Sequence, residues 1–353
     1  MEAEWIKNMI HNVNKTDKIK YHICICIMLI LLIISITASL VLGQYNISIP
    51  DVCKSLSNII FKTNFIVDAT SEKVIELIRL PRTIAAFIVG SCLAMSGSTF
   101  QSTFNNKLVS PDVLGVSAGA CVGAAISILL NVSSYFIGIF AFIFGIISVF
   151  LALLLPKLFR NSRTIALVLS GIIVGSLMNS IIGLIKFVAD NEEKLAEITF
   201  WIMGELSGVS YANIFTVLPI YIIALTGIML LRWKINVLSL GEDEAISVGL
   251  NYKFYRFLVI IFSTCLTAAS VSLSGNVGWV GLVVPHISRA LVGGDNRYSI
   301  PISFIFGGIF MILVDLVARN LSVNEIPLSI ITGLLGTFIY TIVLIRKGSD
   351  INE

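Results

Sequence analysis

Few residues in this chain could do bond chemistry. Of its three histidines only His286 lies beyond residue 22. One imidazole without a second ligand is not a metal site, and packing with a hydrogen bond accounts for it. No G-x-x-x-x-G-K-[ST] phosphate loop occurs. No Ser-His-Asp set or paired carboxylate reads as a pocket. The six cysteines (24, 26, 53, 92, 121 and 265) are scattered, mostly in apolar runs, and form neither a disulfide framework nor a metal spacing. The remaining chemistry is recognition by charge. Arg79 and Arg82 flank Pro81, and Arg319 follows Asp315 by four residues on one helix face. A guanidinium grips a partner carboxylate with two parallel bonds. The competing role is an arginine that anchors a helix end while its stem snorkels. Asp315, the clearest acid within an apolar run, reads as a proton relay or, beside Arg319, as half of a structural ion pair.

The elements that must position these residues are apolar. Apolar residues make up 56% of the chain and charged ones 13%, with mean hydropathy +0.94; a soluble domain carries about a quarter charged. The surplus runs along the whole chain, which predicts an all-α, polytopic membrane protein. Charge-poor runs long enough for a bilayer give about ten spans: 21–42, 82–103, 113–130, 135–156, 164–187, 211–231, 254–274, 277–292, 300–319 and 327–345. Residues 1–20 then form a cytoplasmic N-terminal segment, 21–345 one transmembrane domain and 346–353 a cytoplasmic tail. With both termini inside, 16 of the 24 Lys and Arg fall in cytoplasmic segments and 8 outside, as the positive-inside rule asks. This puts Arg79, Arg82 and Arg319 on the outer face, against the trend. Pro81 is expected just ahead of the second span's helix. Ser110, Pro111 and Asp112 are expected to turn the chain in a cytoplasmic hairpin, 105–112, and start the next helix. Gly115, Gly119 and Gly123 share one face of that helix, where a neighbour can approach closely. Two outer segments, 46–76 and 190–208, are long enough for structure, the latter as an interfacial helix. Trp201, Trp233 and Trp279 are expected at headgroup level.

The segment 232–256, RWKINVLSLGEDEAISVGLNYKFYR, joins spans six and seven on the cytoplasmic side. Ser239 with Glu242 fits a capping box. Glu242, Asp243 and Glu244 suit a first helical turn, and Gly249 is placed to end the helix. The expectation is a helix of about ten residues, read either as a capped connector or as a docking element for a cytoplasmic partner.

Taken in order, RLPRTIAAFIVG, NNKLVSPDVLGVSAGA, LGEDEAISVGLN, GNVGWVGLVVPHISRALVGGDNR and DLVARN with EIPLSIITGLLGTFIY resemble the motifs of permeases of type II ABC importers for iron chelates, haem and cobalamin. The resemblance covers nearly all of the chain after the first span. It implies ten helices per subunit and a pair of permeases, either a homodimer or two similar paralogues. It also implies two cytoplasmic ABC ATPase subunits that bind ATP and Mg, and an extracellular or periplasmic substrate-binding protein. No cofactor in this chain, no nucleic acid partner and no enzymatic activity of its own are implied. The location is the cytoplasmic membrane and the cargo an iron chelate, foremost an iron–siderophore complex. By the same resemblance Arg79, Arg82 and Arg319 meet glutamates of the binding protein. Ser239, Leu240, Gly241, Glu242, Ala245 and Gly249 couple to the ATPases. Thr164, otherwise a helix cap, narrows the inner end of the pathway. Two departures stand out: where the family hairpin has Asn-Pro-Leu-Ala this chain has Asn106, Lys107, Leu108 and Val109, and Trp279 replaces the usual Phe.

Overall fold

A computed structural model describes residues 2–158, 164–190, 193–322 and 324–349. Among these every regular element is helical. They are α1 (Glu2–Val41), α2 (Ile49–Phe61), α3 (Ala69–Val74), α4 (Leu80–Thr103), α5 (Val116–Leu129), α6 (Ser134–Leu158), α7 (Thr164–Val188), α8 (Lys194–Met203), α9 (Tyr211–Leu238), α10 (Glu242–Ser247), α11 (Tyr252–Ser274), α12 (Val280–Val292), α13 (Asn296–Asn320) and α14 (Leu328–Ser349). Seven of the described helical stretches are long and apolar enough to cross a membrane. Three shorter apolar helices, Val116–Leu129, Val280–Val292 and Leu328–Ile342, fall where spans three, eight and ten are expected.

The bundle is built around α4. Twenty of its 24 residues are buried, among them a long run of Ala, Gly, Ser and Thr. A helix apolar or small on every side belongs in a centre, and small residues let backbones close in. α9, α11, α12 and α13 pack around it. A second apolar cluster lies between α5, α6 and α7. There Gly119 and Gly123 abut α6: an added methyl would come within 2.4 Å of Ser148 Cβ and 2.3 Å of the Phe140 carbonyl oxygen. The shared glycine face is therefore a packing seam.

Pro81 does not open its helix. α3 runs into α4 through a π turn, Ile75–Arg79. The proline ring would clash with the carbonyl four residues back, and a widened turn relieves this while the missing donor is absorbed. The outer segments fold as expected in outline. α2 is capped by the Ser48 side chain, which accepts from Asp51 N, and α8 lies in 190–208 with Ile198 buried and Trp201 half-buried.

Candidate functional site

The three arginines expected on the outer face come together in one buried corner and do not stand out from the surface. Arg79, Arg82 and Arg319 are 3%, 5% and 7% exposed. Arg82 forks between two carboxylates. Its Nε donates to Asp315 Oδ1 and Oδ2 at 2.9 and 3.1 Å, and its Nη1 and Nη2 donate to Glu325 Oε1 and Oε2 at 2.7 and 2.9 Å. Arg319 Nε is 3.8 Å from Asp315 Oδ2, and its Nη2 donates to the Ser39 carbonyl and to Ser39 Oγ. The expected ion pair on one face of α13 is present, but Arg82 holds Asp315 more closely. Arg79 donates to the carbonyls of Leu40 and Val41 at 2.7 and 2.9 Å and to that of Tyr45. It thereby satisfies acceptors at the C-terminal end of α1, where a cation is favoured. The Ser39 and Thr83 hydroxyls, 2.7 Å apart, tie the two halves together. Sequence reasoning missed Glu325. Its signal was available: it is the one carboxylate in the short loop before Pro327, on the same side as the three arginines. At 36% exposure of its side chain it is the corner's open edge.

The hairpin after α4 reaches deeper than the sequence implies. Pro111 packs on Gly281, where a methyl would fall 2.1 Å from Pro111 Cγ and 2.7 Å from the Leu93 carbonyl oxygen. Leu93 lies about 15 Å along the axis from the end of α4 at 1.5 Å per residue. The chain thus turns at 105–109 and climbs back between helices before α5 begins, which is why α5 needs only 14 residues. Asp112 Oδ1 accepts from Ser117 N at 2.6 Å and starts α5, as its residue type implies. Trp279 is corrected in the same way. It precedes α12 at φ +69°, an unusual conformation for a non-glycine residue. The chain drops inward between Gly275, which packs on the Trp201 carbonyl, and Gly281, which packs on Gly97. So Trp279 sits near mid-depth against Tyr340, not at headgroup level. With Leu93, Pro111, Asp112, Asn276 and Gly281 it lines a cavity of about 290 Å³.

On the opposite end, α10 is shorter than expected and its capping box is absent. Ser239 terminates α9 instead, its Oγ donating to the Asn236 carbonyl, and Gly241 at φ +122° is the N-cap of α10. A long helix running to Leu238 leaves Ser239 no extended backbone from which to cap. Gly249 does end the turn in a left-handed conformation, φ +77°, with Leu250 N donating to the Ala245 carbonyl. Ala245 is buried against the bundle, while Leu240, Ile246 and Val248 are 65%, 59% and 66% exposed beside the acidic first turn. Exposed apolar side chains clustered on a short charged tip mark a contact surface. Thr164 begins α7, but its side chain lies outside the described residues, as do those of Lys157, Arg160 and Arg163.

Where the C-terminal ends of α4 and α9 meet the N-terminal end of α13, Asn236 Nδ2 donates to Asp295 Oδ1 at 2.6 Å, Asn236 Oδ1 accepts from Asn296 N at 2.8 Å, and Ser102 Oγ donates to Asn296 Oδ1 at 2.7 Å. Burial alone would raise the Asp295 carboxyl, but hydrogen bonds from Arg297 and Asn236 outweigh it and hold the group below its usual range. Among the described residues no group of three His, Cys, Asp or Glu could hold a metal ion.

A bundle of long apolar helices around a small-residue centre, interrupted at mid-depth, is the architecture of a multi-pass membrane protein. The chain belongs to the FecCD transport family, whose pattern matches residues 31–347. It is 35% identical over 322 residues, 91% of this chain and 95% of the relative, to the molybdate import system permease of Haemophilus influenzae. It is 34% identical over 310 residues, 87% of this chain and 93% of the relative, to a probable iron chelatin transport system permease of Helicobacter pylori. A solved structure described as a metal-chelate type ABC transporter in an inward-facing conformation matches with TM-score 0.82 at 34% identity, covering 90% of this chain and 97% of that one. The chain is thus a permease of the ABC importer class.

Proposed function

We propose that this chain carries an iron chelate, foremost an iron–siderophore complex, inward across the cytoplasmic membrane. The observation that carries this reading is the end-to-end likeness to the permease named for iron chelatin transport. The α-helices of 14, 13 and 22 residues at spans three, eight and ten complete ten crossings, since two of them start or finish at the depth of the re-entrant turns. A second permease copy or a similar paralogue pairs with it, and exposed apolar side chains such as Leu177 and Phe187 on α7 and Leu334 and Phe338 on α14 supply surface for that pairing or for lipid. Two ATPase subunits seat on the tip formed by Leu240, Gly241, Glu242, Ala245 and Gly249 next to Ser239, and bind ATP and Mg themselves. The binding protein docks at the corner of Arg79, Arg82 and Arg319, where its glutamates compete with Glu325 and the α1 carbonyls. Thr164 contributes to the inner constriction.

A second reading of the cargo has its own observation: the relative named for molybdate import matches over a comparable length. Haem and cobalamin are the further cargoes that the motif resemblance admits. An ion-driven carrier would use an acid at mid-depth; Asp112 reaches that depth, but its carboxylate accepts from Ser117 N in the first turn of α5. The test is reconstitution in vesicles with an ABC ATPase and a substrate-binding protein from the same organism. Uptake of a labelled ferric siderophore should need ATP inside and the binding protein outside. Uptake driven by a proton gradient without ATP would sink the importer reading; ATP-driven uptake of haem, cobalamin or molybdate alone would replace the cargo.

A further inference from the structure

A second cavity, of about 640 Å³, opens at the inner ends of α4 and α12. It lies below the mid-depth one along the same helix. Gly281 lines the upper cavity and His286, Arg289 and Ala290 the lower. Eight residues of helix, from Gly281 to Arg289, separate them by about 12 Å. Ser239, next to the α10 tip, closes one side. The cavity is therefore on the exit side of any route through the bundle and beside the element that would feel the ATPases.

Its chemistry is one-sided. Its described lining carries two cations, Lys107 and Arg289, together with His286 and amides including Gln101 and Asn296, and no Asp or Glu is among the described lining residues. The acid next in sequence, Asp295, is committed to Arg297 and Asn236. Arg289 forms no ion pair among the described residues; its Nη2 donates to Gln101 Oε1 and nothing else accepts from the fork. Gln101 is fixed in turn, its Nε2 donating to the Gly281 carbonyl at 3.1 Å. So one edge of the guanidinium is held and the rest is left for a ligand. Among the described residues Lys107 likewise pairs with no carboxylate, and it stands where the resembled family has proline. Two cations around a shared, partly enclosed space repel each other, and burial strips water from Arg289, a cost that an anion between them offsets. A planar fork plus a point charge suits a group with several anionic oxygens.

We propose that this inner cavity is a transient exit site for anionic cargo, holding its carboxylate, catecholate or oxyanion oxygens on Arg289 and Lys107. The inference rests on the importer reading and narrows it: the cargo is negatively charged, and neutral chelates are held poorly. An anion passing from the upper cavity gains the field of both cations. It is released when movement of the α10 tip, which Ser239 adjoins, widens the site to water.

The test uses the full-length permease in detergent micelles, titrated calorimetrically with three probes: ferric citrate, molybdate and a neutral ferric trihydroxamate. Saturable binding of an anionic probe, weakened by salt, is expected, with the neutral probe at least about tenfold weaker. Molybdate binding without ferric citrate marks an oxyanion site; the reverse marks an anionic chelate. Lys107→Gln should weaken the anion about fivefold and flatten its salt dependence. Arg289→Gln should abolish binding, and Arg289→Lys should restore part of it. Lys107 is exposed, so its variant reads out even if Arg289→Gln folds poorly. Absence of anion binding, equal binding of the neutral probe, or anion binding unchanged in Lys107→Gln would each overturn the proposal. In those cases ATP-driven uptake in vesicles would still leave the importer reading standing.

Discussion

Arg82 gives the sharpest quantitative test of the outer corner. It makes four hydrogen bonds to two carboxylates, and Asp315 beneath it is 1% exposed. Truncation to Ala leaves Asp315 facing only Arg319, whose Nε is 3.8 Å away and whose Nη2 is already shared with Ser39. Breaking a buried pair from one side costs about 3–5 kcal/mol, because an uncompensated charge stays behind. Arg82→Ala should therefore fall in that range. Asp315→Asn alone should also destabilise, since Arg82 keeps only Glu325, which is itself partly in water. The double variant removes both buried charges, so its cost should fall short of the sum by about 1–3 kcal/mol. The assay is reversible unfolding of the purified permease in mixed micelles, followed by circular dichroism, on all four members of the cycle. Additive costs, within about 0.5 kcal/mol, would refute the network and return Arg82 to a helix-end anchor.

The same corner predicts how docking responds to its own carboxylate. Glu325→Gln removes the competitor for half of the Arg82 fork, so affinity for the binding protein should rise at low salt; unchanged affinity would end the docking role of Arg82. For topology, a cysteine placed at Asn64 on a cysteine-free background should react with a membrane-impermeant reagent from outside, and one at Asp243 should not. Both positions are exposed on the fold, so labelling of Asp243 in intact cells would invert the orientation. At the cytoplasmic tip Gly249 has open space around the position of a Cβ. Gly249→Val should therefore act through backbone strain alone, about 1 kcal/mol or more. It should lower uptake while membrane insertion persists, with Gly249→Asn much milder; uptake unchanged by valine would remove the tip from coupling.

Hydropathy located the seven long apolar helices and the three shorter ones among the described residues, because an apolar run long enough for a bilayer is bounded by charge at its ends. What it could not locate is depth. Nothing in NNKLVSPDVLG distinguishes a turn at the membrane face from one that climbs about 15 Å back inside; the absent side chain of Gly281 lets Pro111 in, and that glycine lies far away in sequence. Trp279 was misplaced for the same reason: a tryptophan at the start of an apolar run reads as an interface anchor unless the run is known to begin at mid-depth. The Ser239 and Glu242 spacing fits a capping box, yet a cap requires the preceding residues to be extended, and α9 continues to Leu238. The arginines show the converse. The charge count gives only an expected side of the membrane, while their burial is decided by Glu325 and by the carbonyls of Leu40, Val41 and Tyr45, and main-chain acceptors leave no trace in a sequence. Arg82 and Arg319 face the carboxylates of Asp315 and Glu325, whereas Arg79 is held by neutral carbonyls that leave its charge uncancelled, so the corner keeps an excess of positive charge beneath its surface. A binding protein docking there would be drawn by that excess and would meet Glu325, the exposed member, as the group to be exchanged.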